Sequence, residues 1–326
     1  MNVRLRDGIE IHFDAGETFV ADATRPAGDV NFVSHAHGDH LYDAPPDSVL
    51  WSETTAELAA VRRADEPVPA GGGHPHVRLF PAGHIPGSRA ALLEDGDRRI
   101  LYTGDVSTRD RFFLSGFEPV EADVLVVEAT YGRPTYEFPA QADAEARIVE
   151  WLQETRPTPL VLFGYTLGRA QELQRLVERS RRDGLYVSTA IAEINAVLER
   201  CQDLAFDAEV YDDDVDLGPD DVLVLPSQTT RLAFVDAIVE ATDAITAAFS
   251  GWAVDDSYRF QAGVDAAFPL SDHCDFTELL DLVAAVDPET VYTQHGFADD
   301  LATEIRSRLG IEARALKRNQ STLGDF

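Results

Sequence analysis

Ser34-His35-Ala36-His37-Gly38-Asp39-His40 places three imidazoles and one carboxylate in a single short stretch, directly after the apolar segment Val30-Asn31-Phe32-Val33. Side chains alternate along extended chain, so a strand ending here puts His35 and His37 on one side. Gly38 permits a turn, after which Asp39 and His40 can swing toward a second nearby point. Neutral imidazoles with a carboxylate suit zinc or a similar divalent ion, and one such cluster could hold two ions. The stretch reads as a metal site rather than a histidine-rich surface loop.

Further ligands follow the same strand-then-loop grammar. His84 lies in Pro81-Ala82-Gly83-His84-Ile85-Pro86-Gly87-Ser88, after the strand-like Val77-Arg78-Leu79-Phe80. Asp105 ends Leu101-Tyr102-Thr103-Gly104-Asp105, and His295 ends Val291-Tyr292-Thr293-Gln294-His295. Ligands at strand ends sit on rigid supports, as a preorganised site requires.

These residues resemble the metallo-β-lactamase superfamily, whose pattern is H-x-H-x-D-H, a later His, an Asp and a late His. Gly83–Ser88, Tyr102–Val106 and Glu128-Ala129-Thr130-Tyr131-Gly132 narrow the resemblance to its β-CASP nuclease branch. Thr166-Leu167-Gly168-Arg169-Ala170-Gln171-Glu172-Leu173, Ser271-Asp272-His273-Cys274-Asp275-Phe276 and Gln294-His295-Gly296 extend it. The likeness runs from about residue 9 to about residue 315. It implies an α/β fold, a metallo-β-lactamase αββα sandwich carrying a compact inserted β-CASP domain over the metal cleft.

The resemblance also implies roles. His35, His37 and His84 would hold one ion; Asp39, His40 and His295 would hold the other, with Asp105 between them. Zinc is the expected metal, manganese the alternative. His273 is the expected general acid by its motif position, oriented by Glu128, and the resemblance also implies that Asp39 shapes the attacking hydroxide by a hydrogen bond. Gly168 and Arg169 open an expected helix whose first amides favour an anion, and Ser88 and Ser271 flank metal-site residues, so these four are candidate phosphate contacts. His295 favours RNA, since DNA-specific members typically carry Val there. Short prokaryotic members linked to DNA ligases keep single-stranded DNA open as substrate, whether cut internally or from an end. A small-molecule hydrolase or a non-catalytic processing subunit fits the Glu128, Gly168–Leu173 and His273 motifs less well.

Composition bounds the rest. No apolar run approaches a membrane span and Met1–Arg6 opens no signal peptide, so the expected location is cytoplasmic, away from membranes. Cys201 and Cys274 are too few for a disulfide framework. The net charge of −31, from 58 acidic against 27 basic side chains with Lys317 the only lysine, is opposite to a nucleic-acid enzyme's usual balance. Either nucleic acid is not the substrate, or the protein works in strong salt, where screening is short-ranged. The scarcity of Lys and the run Tyr211-Asp212-Asp213-Asp214-Val215-Asp216 favour a halophilic protein.

Pattern predicts the domain order. Residues 1–132 alternate short strands (9–13, 30–33, 77–80, 90–94, 99–103, 124–128) with a helix at 54–63. Residues 133–248 show helical periodicity at 140–154, 168–181 and 190–201, with strand-like 160–163 and 222–225, the mark of a small parallel sheet. Strand-like 245–249 is expected to return the chain to the first domain, completed by residues 249–326 with helices at 276–286 and 298–309. Processing-complex partners and a monomer or homodimer are compatible with this organisation.

Overall fold

The alternation Ile9-Glu10-Ile11-His12 puts two apolar side chains on one side of extended chain. In the computed structural model of the protein, which describes residues 2–14, 16–212 and 215–318, Ile9 and Ile11 are buried while Glu10 and His12 are only half-buried. The chain divides into two compact units, Met1–Thr135 with His273–Phe326, and Tyr136–Asp272.

The first unit begins with β1 (Asn2–Leu5), β2 (Ile9–His12), β3 (Thr18–Ala21) and β4 (Val30–Phe32), side by side in that order. Only the β3–β4 pair is parallel. β5 (Ser48–Val49) and β6 (Ala70–Gly71) pair on either side of α1 (Glu53–Arg62), which starts where the Ser52 hydroxyl accepts the Thr55 amide. β7 (Val77–Pro81), β8 (Arg89–Asp95) and β9 (Arg98–Tyr102) form an antiparallel meander, and β10 (Val124–Glu128) lies parallel beside β9.

The second unit opens with α2 (Gln141–Glu154) and continues through β11 (Leu160–Gly164), α3 (Arg169–Ser180), β12 (Leu185–Val187), α4 (Thr189–Cys201) and β13 (Glu209–Val210). It then runs through β14 (Val222–Pro226), α5 (Ala233–Thr242), β15 (Ile245–Phe249), α6 (Tyr258–Ala262) and β16 (Ala266–Phe268). All six strands are parallel, in the order β13-β12-β14-β11-β15-β16. The central β11 and β14 are buried along their whole length, which explains their unbroken apolar sequences.

The chain completes the first unit with α7 (Phe276–Val286), β17 (Thr290–Gln294), α8 (Ala298–Leu309) and β18 (Glu312–Ala315). The resulting six-stranded sheet runs β18-β17-β10-β9-β8-β7. Period-two alternation divides its side chains between two cores. Ala91, Leu93, Ile100, Tyr102, Val124 and Val126 pack with Ile9, Ile11, Phe19 and Phe32 of the four-stranded sheet. Their neighbours Ala90, Leu92, Leu101, Leu125 and Val127 pack instead with Leu279 and Val283 of α7 and Leu301 and Ile305 of α8. One face of the sheet thus meets a second sheet and the other meets helices.

The predicted elements at 124–128, 276–286 and 298–309 coincide with β10, α7 and α8, and most others agree to within a residue or two at each end. The predicted return strand at 245–249 is β15, but it is hydrogen-bonded between β11 and β16. The second unit therefore continues to Asp272. Of the acidic run, Asp213 and Asp214 lie outside the described residues. Among the described residues no helix is long and apolar enough to cross a membrane.

Candidate metal centre

β4 ends at Phe32, and the chain beyond it carries Ser34 and His35 inward, both buried. The hydrogen bonds at this strand end settle the His35 tautomer. The Ser34 hydroxyl donates to Asp22 Oδ2 at 2.6 Å, so its 2.9 Å contact with His35 Nδ1 must be an N–H donated to the hydroxyl oxygen. His35 Nε2 is then a bare lone pair. It is buried without a hydrogen-bond partner and lies 3.5 Å from Asp105 Oδ2. Burial, with His40 and His84 nearby, holds this imidazole well below its usual pKa and so neutral.

Three more donors converge on the same point. His84 Nε2 is 3.2 Å from His37 Nδ1 and 3.7 Å from Asp105 Oδ2. Ligand atoms of His35, His37, His84 and Asp105 all lie within 4.8 Å of one another. The His35 Nε2 lone pair, buried beside a carboxylate oxygen, is unfavourable unless a cation lies between them, and this donor set suits a divalent ion. The residues fit a metal.

The second expected ligand set is more open. His40 is buried, with Nε2 3.4 Å from Asp105 Oδ2 and 3.8 Å from Asp39 Oδ2. The Asp39 side chain is 82% exposed, and the exposed His295 ring stands 5.9 Å from that of His40. Burial opposes a charge on His40, but Asp105 and Asp22 outweigh it and hold the imidazole well above its usual pKa. For Asp105, burial is likewise outweighed by His40, and the carboxyl stays well below the usual range.

Glu128 and His273 form a pair beside these ligands. Glu128 ends β10, is fully buried and accepts the backbone amides of Val106 and Thr130. Its Oε1 meets His273 Nδ1 at 2.6 Å, and the His273 ring lies 4.5 Å from that of His84. Ligand atoms of Asp105, Glu128 and His273 also cluster within 4.8 Å. Cys274, next in sequence, is a packed free thiol. It is buried in the helix-side core, and burial raises its pKa.

At Gly168 and Arg169, the expected phosphate contacts, the structure shows partners from the chain itself. Arg169 is buried, with its guanidinium paired to Glu172 and, at 3.2 Å, to Asp272, so its charge is already compensated. The Gly168 amide donates to the Gln171 side chain and the Ala170 amide to Tyr165 O, which occupies amides at the start of α3. Ser88 Oγ accepts the Ile85 amide and so braces the His84 loop, and Ser271 is buried.

Two supporting residues escaped sequence reasoning. Asp22 accepts Ser34 N, Ser34 Oγ and Tyr102 Oη, and contacts His40 Nδ1 at 3.0 Å. It orients both His35 and His40, the role carboxylates play behind metal-bound imidazoles. Its signal was available, because Thr18–Ala21 followed by Asp22 repeats the strand-then-acid grammar of Asp105. Arg111 had no such signal. It follows the Tyr102–Val106 motif by five residues but matches no motif itself; it is buried and donates to the carbonyls of Gly83 and His84.

An α/β scaffold with His and Asp side chains gathered at its strand ends defines the class, a candidate metallohydrolase. No protein-family model matches the chain. It is 38% identical over 309 residues to a "Probable DNA ligase" of Opitutus terrae, covering 90% of this chain and 29% of that protein. It is also 34% identical over 111 residues to an "RNase J-like protein" of Methanocaldococcus jannaschii, covering 33% of this chain and 26% of that one. The chain thus spans under a third of the length of either relative. A crystal structure of a protein from Enterococcus faecalis, 15% identical, superposes with a TM-score of 0.64 over 98% of this chain and 97% of that one, a likeness of fold alone. These likenesses are consistent with the metallo-β-lactamase superfamily and its β-CASP nuclease branch.

Proposed function

We propose that this chain is a dinuclear-metal phosphodiesterase that cuts single-stranded nucleic acid. The convergence of His35, His37, His84 and Asp105 beside the Glu128–His273 pair is the observation that carries this reading. In it, the first unit is the αββα sandwich and the second the β-CASP insertion. In this reading His35, His37, His84 and Asp105 would hold one ion, and Asp39, His40 and His295 would serve the other. When bound, such ions supply an activated water and take up charge on phosphodiester oxygens.

The chain's own groups do the remainder. His273 directs Nδ1 to Glu128, which leaves Nε2 to give a proton to the departing oxygen. Glu128 is held by two backbone amides, so the ring keeps this orientation. Arg62 adds a phosphate contact. It is half-buried, its Nη2 lies 3.8 Å from where a Cβ on Gly38 would stand, and its side chain makes no hydrogen bond among the described residues, though Asp39 is near enough to favour its charge.

Two substrates are supported by different observations. His295 favours RNA by the family rule, and the RNase J-like match supports it over a third of the chain. The match over 90% of the chain is to a protein named as a DNA ligase, which favours DNA. Similarity across nearly the whole chain weighs more than a local one, so we put DNA first and RNA second. The acidic balance supports a reaction run in strong salt.

The test is matched 5′-labelled single-stranded DNA and RNA in about 2–3 M KCl, with zinc or manganese supplied. Wild-type protein is expected to cut DNA, and Asp105→Ala to lose the activity while keeping its circular dichroism. Cutting of RNA alone would make the second reading the first. Equal cutting by Asp105→Ala would remove the activity from this site altogether.

A further inference from the structure

A chain with a net charge of −31 cannot draw most of its affinity for nucleic acid from phosphate attraction, and strong salt weakens that attraction further. Base stacking does not suffer the same loss, because every base presents an apolar face whatever the ionic strength. The second unit has a cavity suited to it. A hollow of about 240 Å³ opens at the carboxyl ends of β11, β14 and β15 and is lined by Phe163, Tyr165, Phe249, Trp252 and Tyr258.

Its position follows from the sheet topology. From β11 the chain passes through α3 to β12 on one side of the sheet order, whereas from β15 it passes to β16 on the other. The loops after the two adjacent strands therefore part, leaving the kind of crevice where open parallel sheets take ligands. Phe163 and Phe249, both buried, form the floor. Tyr165 stands at the rim and is 56% exposed, an unusual place for a large aromatic side chain. Trp252 is braced edge-to-face by Tyr136 at 5.1 Å.

The lining excludes other classes of ligand. No Asp, Glu, Lys or Arg lines the hollow, although 26% of the chain is charged. Arg231, the nearby cation, is engaged with the Gln261 carbonyl, so the lining itself offers a phosphate or a cation no counter-charge. Ser227, Thr230 and Gln261 supply neutral donors and acceptors suited to the edges of a planar heterocycle. We propose that this hollow is a nucleobase-binding subsite, which stacks one base of a single strand against Tyr165 and Trp252.

This assignment rests on the nuclease reading for its biological ligand, but it is tested by binding alone. The probes are a fluorescein-labelled short oligodeoxyadenylate and an abasic strand of equal length. Anisotropy is measured at about 2 M KCl, in an Asp105→Asn background that prevents cutting. Tyr165→Ala and Trp252→Ala are expected to weaken binding of the oligodeoxyadenylate on the order of 10-fold. Tyr165→Phe should restore it, and the abasic strand should bind weakly and equally to all variants. The Tyr165 side chain is itself exposed, so its substitution is expected to leave the fold intact, which circular dichroism checks. Unchanged binding in Tyr165→Ala, or an abasic strand that binds as well as the intact one, overturns the subsite. Failure of the wild-type chain to cut any strand, with base-dependent binding retained, would instead overturn the nuclease reading and leave the subsite standing.

Discussion

Asp22 concentrates several tasks in one carboxylate. It ties the end of β3 to Ser34, to Tyr102 and to His40. Asp22→Ala would leave buried donors on Ser34 and Tyr102 without an acceptor, each costing about 1–3 kcal/mol. We expect an unfolding free energy lower by about 2 kcal/mol or more, read from urea titration, together with weaker metal retention. Unchanged stability would mean that water replaces the carboxylate. At the Glu128–His273 pair, Glu128→Gln keeps the shape but alters the partner of His273 Nδ1. Both Glu128→Gln and His273→Ala are expected to lower kcat by about 10²–10⁴-fold while metal content stays at the wild-type level. Loss of metal in His273→Ala would make it a ligand instead of a proton donor.

At the scale of elements, the loop between β7 and β8 shows how tightly the backbone places a ligand. Gly83 has φ +71°, and a Cβ there would stand 2.1 Å from Ser107 O and 2.8 Å from Phe117 N. Both obstacles are backbone, so the loop itself would have to move. Gly83→Ala is therefore expected to displace His84 and to reduce bound metal, measured by atomic emission on dialysed protein, while the sheet core persists. Full metal occupancy in the variant would show that the loop can yield without carrying His84 away. Helix α7 is fixed in a similarly local way. Asp275 accepts the Glu278 amide, Glu278 accepts that of Asp275, and Arg109 pairs with both carboxylates. This cap fixes where α7 starts, two residues after Cys274 and three after His273.

For the whole molecule the governing quantity is charge. A net charge of −31 opposes compaction by self-repulsion, which salt screens over a Debye length of about 3 Å at 1 M. The exposed ion pairs, such as Arg78 with Glu94 and Arg308 with Glu304, are of a kind that contributes little to stability. Tm is expected to rise steadily from about 0.1 M to about 2 M KCl, followed by differential scanning fluorimetry. A Tm that falls or stays level over that range would remove the halophilic reading and return the acidic balance to a question about the substrate.

Much of this was legible in sequence because the relevant signals are local. Continuous apolar runs mark strands buried on both faces, as in Val124–Glu128 and Leu160–Gly164, and the ligands stand at the ends of such runs. Besides the helix α5 (Ala233–Thr242), what escaped was short or non-local. β18 reads Glu312-Ala313-Arg314-Ala315 and β16 only Ala266-Ala267-Phe268, so neither carries a pattern, and each is a strand because a neighbour offers it hydrogen bonds. β15 looked like a return to the first domain, because its apolar residues do not say which sheet will pair with them. Arg169 sits in a motif that suggests phosphate, yet Asp272, distant in sequence, takes up its charge. By itself the sequence determined the chemistry available, since residue types and strand-end positions are written one residue at a time. Only the tertiary structure decided which groups face a common point, as His35, His37, His84 and Asp105 do, because proximity between distant residues is a property of the packed chain.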